Sequence, residues 1–332
     1  MPTRENGKGL AERLLPLVPQ AVTNAAATFV DSLKISSTSE KVRRGRRVVI
    51  KRRNAYSEQL ADLANLYFRM SSIPIRIWSK TKDWQRWEVS SFQMLNGDRF
   101  RASTSGAEKV YMDKLPGESL WDHMNRGTLT RRMLEAAGRE LRRAHQCWSD
   151  EFAGPWSHGD TSMTNVIYDE KTRRARLIDF ELVHEKSLPA ESRHADDLLV
   201  FLLDILSVMR SRQWLPFVLY FLNAYGDARV FAAVEDQLAL PNGMAWIWWG
   251  VRTSFAHPAK VKKRLEQLRD LAVHLEHYRT VAAMRARKRR RASISCQVIR
   301  PGIPSPSSRT RAIKERAKAV APSIPRRLPI RT

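Results

Sequence analysis

The chain has 332 residues, 43% of them hydrophobic and 28% charged, a balance that supplies a full core and excludes a collagen, a coiled coil or wholesale disorder. Lys and Arg outnumber Asp and Glu by 58 to 34, a formal charge of +24, so the chain as a whole attracts anions. From Arg279 onward sixteen Lys or Arg face the single Glu315, which is +15 of that total and leaves +9 for residues 1–278. Cys147 and Cys296 stand far apart without metal-ligand spacing, which fits a reducing compartment and excludes a disulfide scaffold. No run reaches the roughly 20 apolar residues of a membrane span, and cytoplasmic residence is the expectation.

Residues 1–30 carry no strong period and read as a leader or a loose first helix. The stretch from Lys41 to Lys51, with Gly45 at its centre and Val48-Val49-Ile50 on its second arm, predicts a tight hairpin whose second strand is buried. Leu60, Leu63, Ala64 and Tyr67 recur at helical spacing behind Asn54, predicting a helix over 55–70. A second helix is expected over 84–95. Its inward face is Trp84, Trp87, Phe92 and Leu95, and Glu88, one turn from Trp84, falls on that face, where a carboxylate needs a cationic partner. Residues 98–103 and 107–113 alternate about Ser103-Thr104-Ser105-Gly106 and predict another hairpin.

After Leu115-Pro116-Gly117 the period becomes helical: Met133, Leu134, Ala137, Leu141 and Ala144 follow Thr130, a natural N-cap. A short hairpin over 165–180 and helices around 193–210, 214–225, 229–239, 244–255 and 259–288 complete the body. Strands first and helices after predict an α+β chain, and no internal repeat is visible. Residues 289–332 mix Pro301, Pro304, Pro306, Pro322, Pro325 and Pro329 with Ser and Arg and few large apolar residues, so they are predicted to be disordered.

The chemistry concentrates in Trp156-Ser157-His158-Gly159-Asp160-Thr161-Ser162-Met163-Thr164-Asn165-Val166-Ile167-Tyr168, followed by Leu177-Ile178-Asp179-Phe180-Glu181. A hairpin between the two segments returns Asp160, Asn165 and Asp179 to one point. Two carboxylates and an amide oxygen are hard ligands of the kind that hold Mg²⁺ with substrate phosphates, and one carboxylate can be left to receive a hydroxyl proton.

These segments resemble the protein-kinase-like phosphotransferases, in which a His-x-Asp-x-x-x-x-Asn loop precedes an Asp-Phe-Gly-type metal strand. The His-Gly-Asp form is most similar to the aminoglycoside phosphotransferase, choline kinase, RIO-like and lipopolysaccharide-kinase branches. The resemblance implies a two-lobed kinase-like fold: a nucleotide-binding N-lobe over 31–115 and a helical catalytic C-lobe over 116–288. It implies ATP and Mg²⁺ as cofactors, Asp160 as catalytic base, His158 as the histidine that braces the catalytic loop, and Asn165 and Asp179 as metal ligands. Lys51 resembles the lysine that grips the α- and β-phosphates, with Glu88 as its ion-pair partner; an exposed pair of Glu88 with Arg86 is the competing arrangement. Met112, Asp113 and Lys114 resemble the inter-lobe segment whose backbone contacts adenine, and Asp197 resembles the helix aspartate that supports the catalytic loop.

Two departures stand out. Glu181 occupies the position of Gly, and no Gly-x-Gly-x-x-Gly precedes Lys51; Ser36-Ser37-Thr38-Ser39 is expected to form a Ser-rich turn whose amides cradle phosphate. The function implied is transfer of the ATP γ-phosphoryl group to a hydroxyl of a small molecule or glycolipid sugar. The alternatives are an atypical RIO-like Ser/Thr protein kinase and an inactive module that binds polyanions. The +9 of the body suits an anionic acceptor. The basic run within 285–332 is expected to touch anionic membrane, peripherally at the inner membrane surface, or other polyanions, without specific nucleic-acid recognition. Trp246, Trp248 and Trp249, near Lys260-Lys262-Lys263-Arg264, read as a packed helix or as a membrane-surface face.

Overall fold

The computed structural model describes residues 35–43, 45–209, 213–241, 243–254 and 256–270. The chain divides into two compact units, Met1–Glu276 and His277–Thr332, and the description concerns the first. The expectations for residues 1–30, of disorder over 289–332 and for the basic run within 285–332 lie outside the described residues.

The predicted first hairpin is β1 (Ser36–Arg43) and β2 (Arg46–Arg53), antiparallel with Lys51 opposite Thr38. The Ser-rich segment expected as a phosphate-cradling turn is therefore the start of β1, and its backbone runs in a ladder. β2 pairs on its other edge with β5 (Lys109–Asp113), which pairs with β4 (Ala102–Ser105), giving a four-stranded antiparallel sheet in the order β1-β2-β5-β4. Between β2 and β4 the chain forms α1 (Ser57–Met70), β3 (Ile75–Ile77) and α2 (Thr81–Asn96). On α1 the buried residues are Ser57, Ala61 and Phe68, while Leu63 is 52% exposed. At 100° per residue Leu63 points roughly 140° from the centre of that stripe, toward solvent. Asn65 clasps β3 instead: its amide donates to the Ile77 carbonyl at 2.8 Å and its oxygen accepts the Ile77 N–H at 2.8 Å. The free edge of β3 pairs with β11 (Leu182–His184), setting Ile77 opposite Leu182.

The helical part contains α3 (Leu120–Asn125), α4 (Arg131–His145), α5 (Ala190–Val208), α6 (Trp214–Tyr225), α7 (Ala228–Gln237), α8 (Ala245–Arg252) and a helical stretch over 258–270. Thr130 caps α4 as expected, its hydroxyl accepting the Met133 N–H. Inserted among the helices are β6 (Glu118–Ser119), β9 (Val166–Asp169) and β10 (Arg174–Leu177) in one antiparallel sheet, and the short pair β7 (Trp148–Ser149) with β8 (Gly154–Pro155). Gly117 enters β6 at φ +104°, and a Cβ there would stand 1.9 Å from the Tyr168 carbonyl oxygen; only glycine lets the chain cross this close.

The molecule is thus a mixed α/β chain, strand-rich first and helical after. The two parts share one hydrophobic core, which runs from Trp84 and Val110 in the first through Phe180, Phe201 and Phe221 to Leu268 in the second. A smaller cluster of Ile35, Ala61, Phe68, Ile75 and Ile77 is closed by Leu182 and Trp248. Trp248 meets Phe68 edge-on at 5.1 Å and Trp249 is buried, so this side of the helix packs against its neighbours. Part of the neighbouring basic cluster is structural too. Lys260 donates to the Ser207 carbonyl at 2.6 Å, and Arg264 donates to the carbonyls of Leu206 and Met209. These are cations at the C-terminus of α5, where unpaired carbonyls and the helix dipole favour them. Among the described residues no helix is long and apolar enough to cross a membrane.

Candidate active site

Period-two alternation on β2 turns Lys51 and Arg53 toward α2, which presents Trp84 and Glu88 to them. Lys51, whose side chain is 4% exposed, puts its Nζ 3.1 Å from Glu88 Oε1, 2.6 Å from Asp179 Oδ1 and 3.6 Å from Glu181 Oε2. The predicted Lys51–Glu88 pair is present; Arg86 pairs with Asp83 at 3.6 Å. Burial works against the Lys51 charge, but the three carboxylates overcome it and hold its pKa well above the usual range. Burial likewise drives Glu88 upward, with Lys51 opposing.

Asp179 follows β10 with φ +63°, a left-handed conformation that costs energy for any residue but glycine and is least costly for Asn and Asp. That turn carries the carboxylate out of the sheet direction and onto Lys51. Burial would raise the Asp179 pKa; the adjacent ammonium prevails and keeps it below the ordinary value. The neighbouring Phe180 is fixed by its carbonyl, which accepts the Trp87 indole N–H at 2.8 Å. Glu181 accepts a hydrogen bond from the Ser36 hydroxyl at 3.0 Å.

The 158–165 loop is built on α5. Asp197 Oδ2 accepts the His158 N–H at 2.7 Å, and Oδ1 accepts the Gly159 N–H at 2.7 Å and the Thr161 hydroxyl at 3.0 Å; His145 Nε2 lies 3.0 Å from Oδ2. Burial opposes ionisation of Asp197, but the nearby His184 and the His145 hydrogen bond outweigh it and pull its pKa far down. The support role expected of Asp197 has its hydrogen bonds here. Gly159 sits at φ +90°, where a Cβ would come within 2.7 Å of the Leu182 carbonyl oxygen. His158 is fully buried. Its Nδ1 accepts the Asp160 N–H at 3.2 Å and its Nε2 faces the Ile178 carbonyl at 3.0 Å, which requires the neutral tautomer protonated on Nε2. Burial lowers its pKa and keeps it neutral. His158 thus ties the loop to Ile178, the residue before Asp179, and does not reach the cleft.

Asn165 ends a 3-10 turn, Met163–Asn165. Its amide donates to the Asp160 carbonyl at 2.9 Å and to Asp160 Oδ2 at 3.0 Å, and its own backbone carbonyl accepts the Ile178 N–H at 3.0 Å. Burial, then the charge of Asp179, raises the Asp160 pKa to about 6, against Arg252 and the Asn165 bond. Asp160 and Asp179 line one cavity of about 590 Å³ with Ile35, Ser36, Ser37, Thr38, Ile77, Glu181 and Leu182. With its nitrogen turned to Asp160, Asn165 has Oδ1 to offer a cation. Among the described residues no group of three or more His, Cys, Asp or Glu is arranged to hold a metal ion. A divalent ion here would rest on Asp179, Asn165 and the phosphates it accompanies, the sparse protein ligation that suits Mg²⁺.

In the segment expected to contact adenine, Met112 to Lys114, two backbone donors are already paired. The Asp113 N–H donates to the Arg101 carbonyl at 2.8 Å and the Lys114 N–H to the Arg47 carbonyl at 2.9 Å. Both donors are consumed inside the sheet and its continuation. Their side chains are engaged as well, Asp113 with the Arg101 N–H at 3.0 Å and Lys114 with Glu40 at 2.6 Å. Met112 is buried within β5.

Three contributors escaped the sequence reading. Arg53, 1% exposed, donates to the Trp78 and Ser79 carbonyls, and its guanidinium lies 4.9 Å over Trp84. Arg252 grips Asp196 bidentately at 2.7 and 2.8 Å, while His184 joins Asp196 to Ser157. Asp204 accepts the Met163 N–H at 2.6 Å. Arg53 was hidden among exposed arginines, although its two-residue offset from Lys51 marks a shared face.

No family model matches the sequence, and no curated protein matches it. Among solved structures the chain is similar to the Rv3197–erythromycin complex from Mycobacterium tuberculosis, at 13% identity over 64% of this chain and 66% of that one, with a TM-score of 0.33. It is also similar to the bifunctional kinase-methyltransferase WbdD, at 18% identity over 58% of this chain and 47% of that one, with a TM-score of 0.29. The chain covers less than two thirds of either neighbour, and at these TM-scores the functional reading rests on the side-chain geometry above.

Proposed function

We propose that the chain is a kinase-like phosphotransferase that moves the γ-phosphoryl group of ATP to a hydroxyl of a small molecule or glycolipid sugar. The single observation that carries the reading is that Asp160 and Asp179 line one cleft, with Lys51 paired to Asp179 and Asn165 hydrogen-bonded to Asp160 directly behind them.

Each group has work suited to its state. Lys51 is a buried, permanently charged ammonium, and a triphosphate would replace Asp179 as its partner. Asp160, with a pKa near 6, is ionised at neutral pH and basic enough to orient an attacking hydroxyl and take its proton. Asn165 holds the Asp160 carboxylate in place. Mg²⁺ held by Asp179 and Asn165 would neutralise charge developing on the phosphates. Most of the remaining barrier is met by positioning, which the braced loop supplies.

Local charge revises the acceptor expected from net charge. Among the described residues the cavity lining carries Asp160, Asp179 and Glu181 with the hydroxyl residues Ser36, Ser37 and Thr38, and no Lys or Arg. A neutral polyhydroxyl or amine-bearing acceptor suits that lining better than an anionic one, whatever the +9 elsewhere on the body.

The test is to incubate the purified protein with labelled ATP, Mg²⁺ and cell-extract fractions split into sugar, lipid and protein pools. Label should pass to the sugar or lipid pool and should be lost in Asp160→Ala and Asp179→Ala. Transfer to the protein pool would favour the RIO-like alternative. ATP consumption unaffected by either substitution would end the enzyme reading.

A further inference from the structure

α5 carries two buried carboxylates, Asp197 and Asp204. Seven residues separate them, so they share one helix face two turns apart. Both point at the loop that holds Asp160, at different ends. Asp197 takes the amides of His158 and Gly159; Asp204 Oδ2 takes the amide of Met163 at 2.6 Å. Met163 begins the 3-10 turn that delivers Asn165 to Asp160.

The surroundings make Asp204 conspicuous. From Leu198 to Leu206 every side chain of α5 except Asp204 is apolar and buried. A carboxylate there is costly to fold, and burial, then the charge of Asp160, pushes its pKa up to about 7 against the Met163 bond. An apolar residue would fill this face as well, but it would leave the Met163 N–H without its acceptor. What Asp204 adds is a fixed point for the loop on the far side of Asp160 from Asp197.

We propose that Asp204 is a positioning residue for phosphoryl transfer: with Asp197 it clamps both ends of the 158–163 turn and thereby sets Asp160 and Asn165 relative to each other. This rests on the phosphotransferase reading for its catalytic consequence, but the clamp itself is a property of the fold.

The experiment uses the full chain with Asp204→Leu, which has similar bulk and no acceptor, and Asp204→Asn, whose amide oxygen can still take the Met163 N–H. Asp204→Ala replaces the leucine variant if that one does not purify folded. Two readouts are taken: hydrogen exchange across residues 158–166, and kcat and KM for Mg·ATP consumption. Asp204→Leu should speed exchange at Met163 to Asn165 by about tenfold or more while the amides of His158 and Gly159 stay protected. It should lower kcat by about 10- to 100-fold with KM for ATP within about twofold, a loss larger than the modest drop in thermal stability expected from the stranded Met163 N–H accounts for. Asp204→Asn should restore most of both. Unchanged exchange at Met163, or a fall in activity that tracks a fall in melting temperature and is not rescued by Asn, overturns the proposal. If the wild type consumes no ATP while Asp204→Leu still loosens the loop, the clamp stands and the phosphotransferase reading falls.

Discussion

The floor of the cleft and the cage around Lys51 are held by different physics. In the floor, buried carboxylates accept backbone N–H groups: Asp197 receives His158 and Gly159, Asp204 receives Met163, and the neutral His158 ties the loop to Ile178. Those bonds are short, local and saturated. In the cage one ammonium serves Glu88, Asp179 and Glu181. Polar atoms there lack hydrogen-bond partners among the described residues, namely Glu88 Oε2, Glu181 Oε1, and Arg53 Nε and Nη2. Buried polar groups are normally satisfied, so the floor is finished while the cage retains bonds for water or a nucleotide to make. The first should govern stability and the second ligand binding.

Asp197→Ala should do the greatest damage, because it strands two buried amides and a hydroxyl at once. Urea titration should show a loss of about 3–5 kcal/mol, in the range seen when one partner of a buried charged cluster is removed. The same bonds make the floor acid-sensitive. The folded-state pKa of Asp197 lies far below its unfolded value and that of Asp196 falls to about 2. Their contribution is present above about pH 4 and is lost as pH falls toward about 2.

Asp160→Asn should leave the urea midpoint near that of the wild type and cut ATP consumption by about 10²- to 10⁴-fold. A variant that loses stability in parallel would blur the line between floor and cleft. Next in size is pH dependence. With the Asp160 pKa pushed to about 6, kcat/KM should climb as pH rises through about 6 and level off above it. Because Arg252 lowers that pKa, Arg252→Met should move the limb to higher pH. The mildest effect is expected of Glu88→Gln, which keeps the size of the side chain and leaves Lys51 two carboxylates: KM for ATP should change by about tenfold or less.

The contrast also explains what could be read in the chain. Elements with strong periods, such as α2, α4 and the β1–β2 hairpin, were plain, since one amphipathic face specifies each. The meeting of Asp160, Asn165 and Asp179 was legible from spacing and residue type, and the inward turn of Glu88 from its helix period; Lys51 and Asp197 were marked only by the resemblance to kinase-like phosphotransferases. β3 was not. It is three residues long, and its partner β11 lies more than 100 positions away, so no local pattern marks it. The fate of the Asp113 and Lys114 amides was equally hidden, because their acceptors, Arg101 and Arg47, are set by how far each ladder runs. Asp204 did leave a signal, a lone acid inside an apolar helix seven residues after Asp197, which helical periodicity alone could have raised.

The account stands or falls on whether the cage around Lys51 receives a nucleotide. Calorimetric titration of the full chain with ATP, with and without Mg²⁺, against Lys51→Met and Asp179→Asn, tests this most directly. Saturable binding should strengthen with Mg²⁺ in the wild type, weaken by about tenfold or more in Lys51→Met, and lose its Mg²⁺ dependence in Asp179→Asn. Equal affinity in all three proteins, or none in any, would contradict it.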